Sequence, residues 1–286
     1  MIQFNPDRPR GIVWLASYPK SGNTWLRAFL HALLRSTEGN PVDAIDLNKM
    51  DDFRRSTNDV HRYATYLSGP ATAVAKSEIA MARPKVQEDI VAESTGLVLV
   101  KTHNARIQDH GFPAINQAVS AGAIYVVRNP LDVAISFARF FDRPIDQMID
   151  DMATSGWGSG TNDREVYYIT GSWSENVVSW TKPAHPVILV VRYEDMLDHP
   201  QETFSRIAAH IRSGATRQQI SQAIELSSFE RLREAERAKG FQDRPQTAER
   251  FFREGRSGQW KDVLSGPQVK RVTDIHGEQM RRFGYA

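Results

Sequence analysis

The chain contains no cysteine. That one absence excludes disulfides, thiolate nucleophiles and Cys-based zinc sites. Its 8 histidines show neither a His-Glu-x-x-His arrangement nor another metal-ligand spacing, so no metal is expected. No apolar run reaches the length of a membrane span. The stretch Met1–Gly11 carries Pro6, Arg8, Pro9 and Arg10 but no apolar segment of signal-peptide length. A soluble, cytoplasmic protein is therefore the expectation. A surplus of one charge is missing as well: 36 Lys and Arg stand against 34 Asp and Glu, a formal net charge of +2. Dispersed, balanced charge speaks against a nucleic-acid-coating surface, yet it is compatible with a local basic pocket. No repeat of fixed period and no single-sign or Pro/Gly/Ser-rich linker divides the 286 residues. One domain spanning 1–286 is expected.

What is present is a set of short, continuous, β-branched runs. Ile12–Ala16, Leu97–Val100, Ala123–Val127 and Val187–Val191 are separated by long segments of helical periodicity. Such runs read as strands of a parallel sheet covered on both faces. Each ends in polar residues: Ser17 onward, Lys101-Thr102-His103, Arg128-Asn129-Pro130 and Arg192-Tyr193-Glu194-Asp195. Open α/β sheets bind ligands at the carboxyl ends of their strands, so four strand ends bring their chemistry to one edge. Trp25, Leu26, Phe29, Leu30, Leu33 and Leu34 mark a helix after the first strand, and Pro130 is placed to open another. Further helices are expected over Glu202–Arg212, Arg217–Leu226 and Pro267–Arg282. Glu38–Gly69 and Ser155–Arg164 look like insertions, and Arg237–Arg250 is a long polar segment.

The turn after the first strand reads Tyr18-Pro19-Lys20-Ser21-Gly22-Asn23-Thr24-Trp25. A strand entering a helix through such a turn aims unsatisfied N–H groups and the helix dipole at one point, which suits a phosphate. Lys20 adds a point charge, and Ser21 and Thr24 add hydroxyls. A structural turn with an N-capping hydroxyl explains the same residues equally well. The Walker A pattern is absent, because Lys20 precedes Gly22 instead of following it. A nucleoside triphosphate site needs a metal to neutralise its phosphates, whereas a sulfuryl group carries less charge and can be transferred on protein cations alone.

Four segments in order carry a family resemblance. Residues 18–25 resemble the 5′-phosphosulfate loop of the cytosolic-type sulfotransferases. Lys101-Thr102-His103 is similar to their catalytic strand end. Val126-Val127-Arg128-Asn129-Pro130, with Ser136 eight positions after the Arg, resembles their 3′-phosphate segment. Arg253-Glu254-Gly255-Arg256-Ser257-Gly258-Gln259-Trp260-Lys261 resembles their C-terminal Arg-Lys-Gly-x-x-Gly-x-Trp-Lys motif. The resemblance runs from residue 12 to about 265.

The resemblance implies an α/β fold with a central parallel sheet flanked by helices, of the P-loop-like sulfotransferase type. It implies 3′-phosphoadenosine 5′-phosphosulfate (PAPS) as sulfuryl donor and 3′-phosphoadenosine 5′-phosphate (PAP) as product, with no metal. His103 would be the general base, a role suited to an imidazole at neutral pH. Lys20 and Lys101 would stabilise the developing charge. Ser21, Gly22, Asn23 and Thr24 would cradle the 5′ side, while Arg128, Ser136, Arg253, Glu254 and Gly255 would hold the 3′-phosphate. Trp25, Tyr193, Ser227 and Phe229 would enclose the adenine. Glu254 departs from the family pattern, which has Lys there; either it points outward or Arg256 compensates. Taken singly, Arg128 reads as an arginine paired with Asp132, and His31 and His276 read as structural.

The acceptor is expected to be a small molecule offering a hydroxyl or amine, received by residues 38–95, 140–170 and 236–252. Phe140, Phe141, Trp157, Tyr167 and Trp173 either line an apolar pocket there or fill the core. The dimer motif of animal relatives is not matched, since Ser265-Gly266 stands at its Thr-Val, so no oligomeric state is assigned. Two other classes compete: a nucleotide phosphotransferase using Asp195 for a metal, and a non-catalytic anion-binding module. The phosphotransferase leaves Arg128 and Ser136 without a role. The binding module has no need of both His103 and Lys101.

Overall fold

The strands form as the β-branched runs dictate. The computed structural model describes residues 10–50, 56–245 and 248–286. Nearly all of the Met1–Gly11 stretch, residues 51–55 of the first insertion and residues 246–247 of the polar segment lie outside the described residues. Strand β1 (Gly11–Ser17) leads into helix α1 (Asn23–Thr37), and α2 (Lys76–Ala92) precedes β2 (Leu97–Thr102). A short hairpin of β3 (Gln108–Asp109) and β4 (Phe112–Pro113) leads to β5 (Ser120–Val127). Helices α3 (Pro130–Phe141), α4 (Ile145–Ala153) and α5 (Trp173–Thr181) follow, then β6 (Ile188–Arg192). The remainder is helical: α6 (Tyr193–Asp198), α7 (Pro200–His210), α8 (Arg217–Leu226), α9 (Phe229–Lys239), α10 (Trp260–Val263) and α11 (Gly266–Arg282).

The main sheet has the order β2-β1-β5-β6, and every pairing is parallel. Because strand side chains alternate between faces, β1 feeds two cores. Ile12, Trp14 and Ala16 pack with Val98, Val100 and Tyr125 on one face; Val13 and Leu15 pack with Leu99, Ile124 and Val126 on the other. Fully burying an aliphatic or aromatic side chain contributes roughly 1.5–3 kcal/mol, and both faces are closed by helices. The chain leaves β1 toward β2, then crosses to β5 on β1's other side. That reversal places a topological switch point between β1 and β5, where open α/β sheets leave a crevice. The 18–22 turn and Arg128 meet there.

Helix α3 starts as its sequence suggests. Pro130 takes the first turn, and the Asn129 side chain accepts from the Leu131 N–H at 3.0 Å. Helix α2 was not visible in the sequence, for a physical reason. It carries Pro84 internally and buries polar side chains: Arg83 pairs with Asp109 at 2.7 Å, and Gln87 donates to the Ala114 carbonyl. Its inward face therefore mixes these polar side chains with Ile79, Ala82, Val86 and Ile90.

Candidate active site

The site begins with backbone. Lys20 and Gly22 both adopt left-handed conformations, with φ of 66° and 102°. Alternating handedness turns successive N–H groups into one concavity, and α1 begins immediately after it. At Gly22 a side chain is also excluded by space, since a Cβ would stand 2.7 Å from Tyr193 Cδ2. Asn23 ties the turn back to its strand, its amide donating to the Leu15 carbonyl at 2.8 Å and to Ser17 Oγ at 3.3 Å.

A cleft of about 650 Å³ opens over this turn. Lys20, Lys101 and His103 all line it. His103 Nδ1 lies 2.8 Å from the Ser17 carbonyl oxygen. A carbonyl only accepts, so Nδ1 carries the hydrogen and the Nε2 lone pair is left for a ligand. Burial first, then the charge of Lys101, pushes the imidazole down to about 3; the Ser17 bond opposes this and Arg27 and Lys20 add to it. The ring is neutral at physiological pH. Lys20 is lowered to about 7, chiefly by burial and then by Arg128, Lys101 and Arg253. Its ammonium rests between the rings of Phe140 and Phe251, 4.0 and 4.3 Å from their centroids. Lys101 is also lowered, by burial and then Arg27. Neither lysine has an ion-pair partner among the described residues.

Arg128 does not pair with Asp132. It donates to the carbonyls of Lys20 (3.0 Å) and Arg256 (3.3 Å) and lies over the Tyr193 ring at 4.2 Å. Asp132 instead accepts from the backbone N–H groups of Gly258 (2.7 Å) and Trp260 (3.0 Å), pinning the 253–261 motif beneath α3. Glu254 is compensated twice, by Arg139 at 2.7 Å and by Arg256 at 2.9 Å. Of the two arrangements open to it, pairing with Arg256 is the one found. Those bonds hold the Glu254 carboxyl below the usual range, and Arg253 beside it is left facing the cleft.

Thr24, Trp25, Ser136, Tyr193, Phe229 and Gly255 complete the expected lining. Trp25 meets Tyr193 edge-on, centroids 5.7 Å apart. Gly255 is packed so closely on Phe229 that a Cβ would lie 2.3 Å from that ring. Two expected side chains do not reach the cleft. Ser227 is fully buried and spends its hydroxyl on the Ala223 carbonyl, as a helix-terminal serine does. Ser21 is fully buried too, its Oγ without a hydrogen-bond partner among the described residues. Of the aromatics weighed for the acceptor, Phe140 and Phe141 line the cleft, whereas Trp157, Tyr167 and Trp173 belong to the core.

Sequence reasoning missed Arg27 and Asp243. Arg27 is 3% exposed on α1, and its guanidinium donates to Thr24 Oγ1 at 3.3 Å and to Asp243 Oδ2 at 3.2 Å. An arginine on the buried face of an otherwise apolar helix was the available signal. Asn58, Glu165 and Tyr168 were missed as well; they line the cleft, with the Tyr168 ring centroid 6.2 Å from that of His103. Asp195, which a phosphotransferase would need beside its nucleotide, is paired with Arg192 at 3.3 Å and does not line the cleft.

A parallel sheet whose strand ends and first turn surround a cation-lined cleft defines a class, and the Sulfotransferase domain profile matches residues 10–284. The chain belongs to the PAPS-dependent, cytosolic-type sulfotransferase family. It is 25% identical to flavonol 3-sulfotransferase of Flaveria bidentis over 95% of this chain and 82% of that one. It is 24% identical to cytosolic sulfotransferase 5 of Arabidopsis thaliana, covering 98% and 82%. Among solved structures, mouse sulfotransferase SULT7A1 complexed with PAP superposes with a TM-score of 0.61 at 19% identity, covering 95% and 85%. Retinol dehydratase in complex with retinol and PAP gives 0.64 at 20%, covering 96% and 82%. These two share the fold. No helix among the described residues is long and apolar enough to cross a membrane.

Proposed function

We propose that the chain transfers a sulfuryl group from PAPS to a hydroxyl or amine of a small-molecule acceptor, with His103 as general base. The observation that carries this reading is the convergence of a neutral His103, its Nε2 lone pair unspent, with Lys20 and Lys101 in one cleft. Two lysines without ion-pair partners among the described residues, their charged forms disfavoured by burial and by neighbouring cations, are suited to receive an anion. A bisphosphate nucleotide fits that requirement. The 18–25 turn would hold its 5′ side, Arg128, Ser136 and Arg253 its 3′-phosphate, and Trp25, Tyr193 and Phe229 its base.

The donor supplies an activated sulfur–oxygen bond. The chain's own part is to hold the acceptor oxygen or nitrogen near His103 Nε2, accept its proton there, and stabilise the charge on the departing oxygen with Lys20 and Lys101. Outside the residues assigned to the donor, the cleft is lined by Asn58, Glu165 and Tyr168 as well as Phe141, so the acceptor would meet polar groups as well as aromatic ones. The flavonol sulfotransferase name among the relatives makes a polyhydroxylated flavonol the first acceptor to try. Cytosolic naming of relatives supports a cytoplasmic location.

The test is calorimetric titration with PAP, against adenosine 5′-phosphate and ATP–Mg²⁺. Binding of PAP that is lost without the 3′-phosphate supports the reading; preference for ATP–Mg²⁺ overturns it. With PAPS and a flavonol, His103→Ala is expected to lower turnover about 10²–10⁴-fold while leaving PAP affinity unchanged. Turnover kept within about tenfold would remove His103 from the base role.

A further inference from the structure

One wall of the cleft is built by pairing segments distant in sequence. Ser56 stands in a parallel bridge with Lys101 of β2, and Asp59 in an antiparallel bridge with Glu165. The Val166 N–H donates to the Asn58 carbonyl at 2.8 Å, and the Val60 N–H to the Arg164 carbonyl at 3.0 Å. Further along, the Ser159 N–H donates to the Tyr168 carbonyl (2.9 Å) and the Tyr168 N–H to Ser159 Oγ (3.0 Å). Gly158 permits this closure, since a Cβ there would stand 2.2 Å from the Tyr168 carbonyl oxygen. Ser56, Asn58, Ser159 and Tyr168 all line the cleft. Backbone paired in this way holds its side chains in fixed places.

Two of these side chains keep hydrogen-bonding capacity that the protein does not use. Tyr63, Tyr66, Tyr125, Tyr167 and Tyr285 each donate their hydroxyls to a protein oxygen. The Tyr168 hydroxyl makes no hydrogen bond among the described residues, and its ring lies 6.2 Å from that of His103, centroid to centroid. Burial, then the charge of Glu165, pushes the phenol up to about 12, so it stays protonated and can donate as well as accept. Asn58 is only 8% exposed. Its Oδ1 accepts from Thr57 Oγ1 at 3.4 Å and its backbone N–H donates to Ser56 Oγ at 3.1 Å. The side-chain NH₂ is left without a partner among the described residues. A buried amide and a phenol, both unspent and both on the cleft, are costly to cover with an apolar ligand.

We infer that Tyr168 and Asn58 are specificity-determining residues that hold a second oxygen of the acceptor, so that the acceptors are catechols or vicinal diols and not single alcohols or phenols. This rests on the PAPS reading above and names the acceptor class of that same site. One hydroxyl meets His103 Nε2 and is sulfated; its neighbour is gripped by the wall and leaves the reaction unchanged. An acceptor with one hydroxyl spends it on His103 and leaves the Asn58 NH₂ and the Tyr168 hydroxyl dry. Sites built to hydrogen-bond a substrate group reject the analogue that lacks it, because their own polar groups then go unpaired.

The experiment measures sulfuryl transfer from PAPS to catechol and to phenol by the full chain, after PAP has been titrated against adenosine 5′-phosphate. If the chain ignores the 3′-phosphate, the PAPS reading fails, and this inference with it. In a chain that binds PAP selectively, kcat/KM for catechol is expected to exceed that for phenol about tenfold or more. Tyr168→Phe removes only the hydroxyl and is expected to cut that preference about fivefold, mostly through the KM for catechol, with PAP affinity unchanged. Asn58→Ala is expected to act in the same direction. A Tyr168 that served the fold alone would lower transfer to both acceptors alike and leave their ratio as it was. Equal use of catechol and phenol by wild type, transfer to neither, or an undiminished preference in Tyr168→Phe overturns the inference while the donor reading stands.

Discussion

Lys20 combines a left-handed backbone, an aromatic enclosure and an ammonium whose proton is loosely held near neutrality. Left-handed geometry is rare for a residue with a side chain and costs about 1–2 kcal/mol. Its presence at the apex of the 18–22 turn points to a function for that backbone. The lowered ammonium makes a quantitative expectation. An anion bound beside Lys20 favours its charged form, so the complex has a higher Lys20 pKa than the free chain, where it is about 7. Below that value the lysine is already charged; above it, binding must take up a proton. Above about pH 7.5, where both phosphates of PAP are already fully charged, PAP affinity measured by calorimetry is therefore expected to weaken by up to about tenfold per pH unit. The binding heat should vary with the ionisation enthalpy of the buffer in that range. Lys20→Met should abolish that dependence as well as much of the affinity. An affinity constant from about pH 7.5 to pH 9 in wild type would contradict the assignment.

The scale of elements shows how the site is kept in register. Helix α3 does this with one residue: Asp132, 1% exposed, accepts two backbone N–H groups of the 253–261 motif. Buried donors left without partners cost about 1–3 kcal/mol each. Asp132→Ala is expected to lower the melting temperature by several degrees and to weaken PAP binding about tenfold, because Arg253 and Gly255 lose their fixed position. Unchanged PAP affinity in a folded Asp132→Ala chain would show that the motif does not contribute to the nucleotide site. At this same scale the reach of sequence reading becomes clear. The four sheet strands were legible because buried parallel strands must be short, continuous and β-branched, and their polar ends announced the edge where Lys20, Lys101, His103 and Arg128 gather. Helix α8 was legible to the residue, because a Thr216–Gln219 capping box opens it. Helix α2 was not, since Pro84 stands inside it and Arg83 and Gln87 are buried among Ile79, Val86 and Ile90, which blurs its apolar stripe. Ser227 was misplaced for a related reason: a serine at a helix end has a carbonyl four residues back to satisfy it without any ligand. Arg27 and Asp243, 216 positions apart, meet only because the segment after α9 folds over α1, and no local pattern reports such a contact.

For the molecule as a whole, a cleft built for an anion is a cost carried by the free chain. Lys20 and Lys101 are drawn below their ordinary ammonium values by burial and by neighbouring cations, Arg128 first for Lys20 and Arg27 for Lys101. Groups in that condition oppose folding wherever the unfolded chain keeps its proton more readily. For Lys20 the unfolded chain binds more protons between about pH 7 and its ordinary value, so its contribution to stability improves as pH rises through that window. Stability and activity are thus set against each other in the same residues. Lys101 offers the clean case, because its side chain makes no hydrogen bond or ion pair among the described residues. Lys101→Met is expected to stabilise the free chain by about 1–2 kcal/mol, seen as a melting temperature higher by about 2–6 °C, while lowering sulfuryl transfer about 10²–10³-fold. PAP should still raise the melting temperature of this variant, since Lys20, Arg128 and Arg253 are intact. A Lys101→Met chain that melts lower than wild type would mean that the ammonium is held by the fold for the fold's own sake. Its place at the end of β2, one residue before Thr102 and two before His103, would then be a matter of packing and not of chemistry.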